Sequence, residues 1–249
     1  MNFRGLFGLT WLEIKIFLRE PLGVFGTVLP ALIFIAAGRV FGPRMRTASP
    51  DTLRIVSIDV PVFAALMLAV SAVLSLVAII AIYREGGILR RLRATPLRPY
   101  TILIAQVLVK LILTAATIAL MFLAGRRDYP VAATVPLASF TAAVLSATIC
   151  ILSLGFLIAS LVPTARFAQP LGTLILYPMF GISGLFVPLD RMPRLLQGIA
   201  RVTPFSYAVS LLRGIWRGDG WAVHAGDLVA MALMFLAFTA VSTRVFRWE

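Results

Sequence analysis

The chain has 249 residues, 60% of them hydrophobic and 13% charged, and a charged fraction about half the roughly 25% of soluble domains excludes an ordinary water-soluble fold. One cysteine and one histidine exclude a disulfide framework and a His/Cys metal cluster. The net charge of +13 would suggest nucleic acid in a soluble protein; in a membrane protein it reads as topology signal and contact with anionic headgroups.

Residues 1–20 mix Phe3, Leu6, Phe7, Trp11, Leu12, Ile14 and Phe17 with Arg4, Glu13, Lys15, Arg19 and Glu20. That mixture lacks the short apolar core and small-residue cleavage site of a signal peptide. It predicts a partly amphipathic helix in the membrane interface, ended at Pro21. Six apolar stretches follow, at 21–42, 60–82, 101–124, 134–161, 170–188 and 225–243. Each approaches the length of about 20 residues needed to cross roughly 30 Å of hydrocarbon. The expected architecture is therefore all-α and integral to the membrane, one domain over 1–249, with spans one to five in 21–188, an outer region at 189–224 and a sixth span at 225–243.

Charge counting alone leaves the orientation tied, with eleven basic residues on each side. The segment from Arg84 to Arg98 packs five arginines between two spans. Its density places that segment, and with it both termini, in the cytoplasm.

The same segment, YREGGILRRLRATPLRPY from Tyr83 to Tyr100, is the most informative stretch. Gly86 and Gly87 break the second span. Ile88, Leu89 and Leu92 make one face of a short basic helix with Arg90, Arg91 and Arg93, which Thr95-Pro96 stops. Such a helix suits docking on a cytoplasmic partner; a lipid-headgroup anchor is the plainer reading.

Further on, the third expected span carries Lys110 roughly 15 Å deep, from a rise of about 1.5 Å per residue. A lysine near the midplane costs about 2.5–3.5 kcal/mol on insertion scales and must face protein or water. Gln106, Lys110, Thr114 and Thr117 share one helical face, the pattern of a polar translocation path or subunit contact, or of ordinary packing. Ser71 with Ser75, Ala138 with Ala142 and Ala143 with Ala147 suit close helix packing.

From the fifth stretch onward the chain is broken by Pro170, Gly172, Pro178, Gly181, Gly184, Pro188, Pro193 and Pro204. Breakers at membrane depth are tolerated where protein or a cavity satisfies the freed backbone groups. No apolar run between Asp190 and Trp221 reaches spanning length without a charge. A re-entrant or interfacial helical hairpin on the outer side is expected there.

Enzyme motifs are sparse. No GxxxxGK[ST] occurs, so this chain is not expected to bind and hydrolyse ATP. Gly181-Ile182-Ser183-Gly184 is a GxSG, similar to the serine motif of rhomboid-type intramembrane proteases. Serine chemistry needs a base within reach, and the only histidine is His224. That family's histidine and asparagine pair on the second span is missing.

Taken together, the segments resemble the ABC-2 family of bacterial ABC-transporter permeases, in its drug-exporter-like branch. The likeness is carried by the turn Arg19-Glu20-Pro21 after the first helix and by RExGxLRRLxxTP from Arg84 to Pro96. It is carried also by the late segment from Pro178 to Trp216, with its spaced prolines and P-x-x-Y at Pro204 and Tyr207. The resemblance implies an exporter subunit of the bacterial inner membrane that pairs with a second copy or a related permease. Two separate ATP-binding cassette subunits would hold ATP and Mg, with no cofactor in this chain. Arg19, Glu20, Arg84, Glu85, Gly86, Gly87, Leu89, Arg90, Arg91, Leu92, Thr95 and Pro96 would form the coupling surface. Gln106, Lys110, Thr114 and Thr117 are candidates for the path, and Gly181, Gly184, Pro188, Pro193, Pro204 and Tyr207 for the outer gate. Two other classes stay open: a secondary transporter or channel working without ATP, and the intramembrane serine protease. Against the first stand the lack of an internal repeat and of a central intramembrane acid.

Overall fold

The computed structural model describes residues 3–19, 21–41, 59–87, 99–125, 136–162 and 164–245. No strand occurs among them. In chain order the helices are α1 (Phe3–Arg19), α2 (Pro21–Phe41), α3 (Val60–Glu85), α4 (Pro99–Gly125), α5 (Leu137–Leu161) and α6 (Ala165–Gly181). A 3₁₀ turn at Leu189–Arg191 leads to α7 (Arg194–Val202), α8 (Pro204–Arg217) and α9 (Ala225–Val245).

Among the described residues, five helices are long and apolar enough to cross a membrane: α2 from Val24, α3, α4 over Leu103–Ala124, α5 and α9. This is the expected all-α membrane protein. The stretch anticipated at 170–188 is not one of these five; it overlaps the 17-residue α6, which contains Pro170 and Pro178. At 1.5 Å per residue it is about 26 Å long. It starts early because the Glu85 carboxylate accepts the Ala165 N–H at 2.8 Å, serving the orphan amides of a helix start from another element. It stops early because Gly184 turns the chain at φ +88°, a left-handed conformation that glycine adopts without steric cost.

Two helices form the centre. More than half the residues of α3 and of α5 are buried, and the two pack on each other. A Cβ on Gly155 of α5 would lie 2.8 Å from Val73 Cγ1 of α3, so the seam depends on that glycine. Ala143 and Ala147 are buried in α5, whereas Ala138 and Ala142 are exposed. Only the first pair therefore does the packing both were expected to do. Gly172 of α6 meets α3 equally closely, 2.9 Å from Leu74 Cδ2 for an added Cβ. Around the centre, α2, α4 and α6 pack on α3, while α8 and α9 pack on α5. On α9 only Met231 and Ser242 are buried, and Val229, Leu233 and Leu236 point outward, as suits a helix facing lipid.

The first helix lies against α4, with a weaker contact to α2. Phe17 and Thr10 are buried, while Phe7, Trp11, Leu12, Ile16 and Leu18 are exposed. With Lys15, Arg19 and the Lys15 ammonium over the Trp11 ring at 5.5 Å, that outer surface fits a membrane interface. The expected hairpin is present as α7 and α8, bent at Thr203. Pro193 precedes α7, Pro204 opens α8, and the Tyr207 hydroxyl donates to the Arg201 carbonyl at 2.9 Å, tying α8 back onto α7. Most of α8 is buried, its Trp216 ring 4.8 Å from Phe140 and 5.6 Å from Phe122. Short α7, by contrast, buries only Ala200.

Candidate functional site

Polar side chains are scarce in this bundle, so the places where they converge stand out. One set gathers where α3 ends. The Tyr83 hydroxyl donates to Glu13 Oε1 of α1 at 2.7 Å, and Gln106 Nε2 of α4 donates to the same hydroxyl at 3.4 Å. Two residues on, Glu85 holds the start of α6. The last turn of α3 is thus hydrogen-bonded to α1, α4 and α6 at once. This junction leads directly into residues 88–98. Leu89, Arg90, Arg91, Leu92, Thr95 and Pro96, and likewise Glu20, lie outside the described residues. Of the proposed coupling surface, Arg19, Arg84, Glu85, Gly86 and Gly87 are described, and Gly86 and Gly87 end α3 as anticipated.

One turn deeper sits Lys110. It is 3% exposed, its ammonium donates to Ser75 Oγ of α3 at 2.6 Å, and it stands 4.7 Å from the centre of the Phe17 ring of α1. A charge-assisted hydrogen bond and a cation–π contact are what a desolvated ammonium requires. Gln106, Thr114 and Thr117 are buried with it on one face of α4, and Thr117 Oγ1 returns its proton to the Leu113 carbonyl at 2.9 Å. The four stripe residues are therefore together and turned into protein.

A cavity opens beside α3. It has about 490 Å³ between α2, α3 and α6 and is walled by Gly26, Pro30, Met67, Ser71, Ser75 and Tyr177 among others. None of the four stripe residues lines it; Lys110 reaches it through Ser75. Pro30, which cannot donate to the Gly26 carbonyl, lines the cavity together with Gly26. Ser71 and Ser75 had been read from sequence as packing residues only. Their i, i+4 spacing on an apolar helix, beside a proline-bearing partner, was the signal available.

At the opposite end of α3 a second cluster fastens the hairpin. The Arg213 guanidinium of α8 donates through Nε to Asp59 Oδ1 at 2.8 Å, through Nη1 to the Gly184 carbonyl at 2.9 Å and through Nη2 to the Leu185 carbonyl at 2.8 Å. In the sequence Arg213 is only one of the basic residues in the charge count. Of the gate candidates, Gly184 joins this cluster; Gly181 ends α6, while Pro188, Pro193, Pro204 and Tyr207 shape the 3₁₀ turn and the hairpin. Phe63, Phe180, Phe186 and Phe205 pack in tilted and edge-to-face pairs beneath them, with centroids 5.5–6.1 Å apart.

The serine-protease constellation is only half formed. Ser183 and His224 line one pocket at this end, and His224 Nδ1 is 2.9 Å from Asp227 Oδ2. Ser183 Oγ and His224 Nε2 are both buried without a hydrogen bond in the protein as described, so the hydroxyl has no base on it. No cluster of metal-ligating side chains occurs among the described residues.

The chain is similar to the inner membrane transport permease YhhJ of Escherichia coli (strain K12), 26% identical over 169 residues that make up 66% of this chain and 44% of that protein. It is similar also to nodulation protein J of Rhizobium leguminosarum bv. viciae, 31% identical over 96 residues, 37% of each chain. Both matches span less than half the length of the relative. The family model for ABC-2 type transporters matches residues 4–216, most of the chain, with both the late proline-spaced segment and the junction at the end of α3 inside the match: this is a membrane-spanning permease of the ABC-2 type transporter family.

Proposed function

We propose that this chain is the permease subunit of an ATP-driven exporter in a bacterial inner membrane, moving an amphiphilic substrate outward. Two copies of a separate ATP-binding cassette subunit hold and hydrolyse ATP with Mg. A second permease copy, or a related permease, completes the path, and both termini face the cytoplasm. The chain itself carries out transport and no chemistry.

The observation that supports this best is the junction at the end of α3. The segment proposed to meet the ATPase, 84–96, begins where Tyr83 and Glu85 bond to α1, α4 and α6. A push on that segment is delivered at once to α3 and α6, two of the three walls of the 490 Å³ cavity. Energy arriving at one end thus has a physical route to the walls that must move. Widened against a second copy, that cavity is the translocation path, and the hairpin tied down by Arg213 closes its outer end.

Purification of the tagged chain from its own host in mild detergent, followed by mass spectrometry, tests the reading. A stoichiometric partner bearing GxxxxGK[ST] is expected. A chain that transports when pure and without any such partner would sink it in favour of an ion-coupled carrier.

A further inference from the structure

A groove on the outside of the bundle shares no wall with the cavity between α2, α3 and α6. Helices α4 and α9 each pack on α5, and a space of about 310 Å³ stays open between them, floored by α5. Leu103, Leu108 and Leu111 of α4, Ile149 and Phe156 of α5 and Phe235 of α9 make most of its wall. Its polar residues are Ser153 and Thr239, and Ser153 Oγ is already committed to the Cys150 carbonyl at 2.6 Å. At the rim Ile104 and Ile149 are each 37% exposed, so the groove opens sideways, toward the hydrocarbon that surrounds spanning helices.

Depth and shape select the occupant. On α4 the groove runs from Leu103, where the apolar stretch of that helix begins, to Leu111, a rise of about 12 Å. Half of a hydrocarbon core of roughly 30 Å is about 15 Å. On α5 and α9 the lining residues Phe156 and Thr239 lie toward the ends of their helices at Leu161 and Val245. The groove therefore occupies one leaflet, the one at the start of α4. A partner's spanning helix would need contact through both leaflets, and membrane helices approach closely over small residues, whereas leucine, isoleucine and phenylalanine stand here. An acyl chain is thin, apolar throughout and confined to one leaflet. Among the described residues, the terminal turns of α4, α5 and α9 at this end carry one charge, Arg244. It lies about 8 Å beyond Thr239 along the axis of α9, at the level of a headgroup, and arginine is suited to phosphate.

We propose that this groove holds one acyl chain of an anionic phospholipid from the leaflet at the start of α4, with the lipid's phosphate against Arg244. The lipid is retained and not carried, since the groove is walled by none of the helices around the cavity between α2, α3 and α6. Its binding needs neither ATP nor a partner subunit, so it stands apart from the transport reading.

The test places the full chain in nanodiscs of equal parts phosphatidylcholine and phosphatidylglycerol, releases it in a native mass spectrometer and identifies the lipid it keeps. One retained phosphatidylglycerol per chain is expected. Its preference over phosphatidylcholine should be about fivefold, the equivalent of about 1 kcal/mol for one arginine beside an anionic headgroup. Thr239→Trp fills the groove from α9 and should cut retention about tenfold or more, the loss of at least about 1.4 kcal/mol. Arg244→Gln, at an exposed position, should keep a lipid but lose the preference for the anionic head. Should Thr239→Trp not assemble, Ile149→Trp closes the groove from α5 in its place. No retained lipid, equal retention of the two lipids by the unaltered chain, or retention undiminished by filling the groove overturns the proposal. A chain that is dimeric until the groove is filled also overturns it, and gives the groove to a second copy.

Discussion

Lys110 and Ser75 allow the energetics of a buried charge to be read directly. The ammonium is 3% exposed and donates to Ser75 Oγ at 2.6 Å. Removing the serine oxygen leaves the cation in place and short of an acceptor. A hydrogen bond to a charged group is worth about 1.5–3 kcal/mol, so Ser75→Ala loses that much. Lys110→Met removes the charge and its desolvation together while keeping the volume of the stem, and such swaps are close to neutral, within about 1.5 kcal/mol. In a protein of this size each kcal/mol shifts Tm by about 2–4 °C. Ser75→Ala therefore lowers Tm by about 3–12 °C, and in the Lys110→Met background the same change has almost no effect. The coupling in the double-mutant cycle comes to roughly 1.5–3 kcal/mol. Thermal unfolding of the four variants, followed by tryptophan fluorescence in one detergent, measures it. Additive effects, or a silent Ser75→Ala, would refute the idea that this contact carries the charge. A further variant tests the path: Lys110→Ala is expected to lower transport while assembly stays intact, and unchanged transport reduces the stripe to packing.

Other perturbations read the two ends of the bundle. Arg213→Met strands Asp59 and two carbonyls in one step and should cost about 3 kcal/mol, the low end for breaking a buried pair, seen as a Tm drop in the same melt. A Cβ at Gly214 would overlap the His224 imidazole, so Gly214→Ala is destabilising by about 1–3 kcal/mol, and adding His224→Ala should recover most of it. Glu85→Ala deprives α6 of the acceptor at its first amide and should cost about 1 kcal/mol, while Glu85→Gln, whose amide oxygen still accepts, costs less; hydrogen exchange at residues 165–168 reports both. Reversing Arg90 and Arg91 to Glu is expected to uncouple ATP hydrolysis from transport in the assembled complex, and unaltered coupling would leave residues 88–98 as a lipid anchor.

What was legible in the sequence follows from what the bilayer enforces. Backbone satisfaction in hydrocarbon makes long apolar runs helical, so α2, α3, α4, α5 and α9 were visible with their ends nearly right. The bounds of α6 were not, because its start rests on Glu85, eighty positions earlier in the chain, and no local pattern announces a cap borrowed from another helix. The polar stripe on α4 could be seen from its period. Its direction could not, since Ser75 and Phe17 are known as its partners only once α1 and α3 are packed. Arg213 went unrecognised for a related reason. An arginine three residues from Trp216 in a half-apolar segment looks interfacial until Asp59 and the Gly184 carbonyl are brought beside it.

Several of the polar ties between helices gather on or beside α3. Asp59 immediately precedes α3, Ser75 lies near its middle and Glu85 closes it, and they bind α8, α4 and α6 respectively. Between membrane helices burial of apolar surface does not favour one register over another, because lipid is as apolar as leucine. Such polar ties, with the glycine contacts at Gly155 and Gly172, therefore fix how the bundle is set, and α3 is its reference rod. Helix α6 is held at its start by Glu85 and just past its end by Arg213 on the Gly184 and Leu185 carbonyls. A widening of the cavity it walls must then either break one of these ties or bend α6 between them. Pro170 and Pro178 sit within that interval, each removing an i to i−4 hydrogen bond where a helix bends most readily. Pro170 and Pro178 are therefore where a wall pinned at both ends would bend.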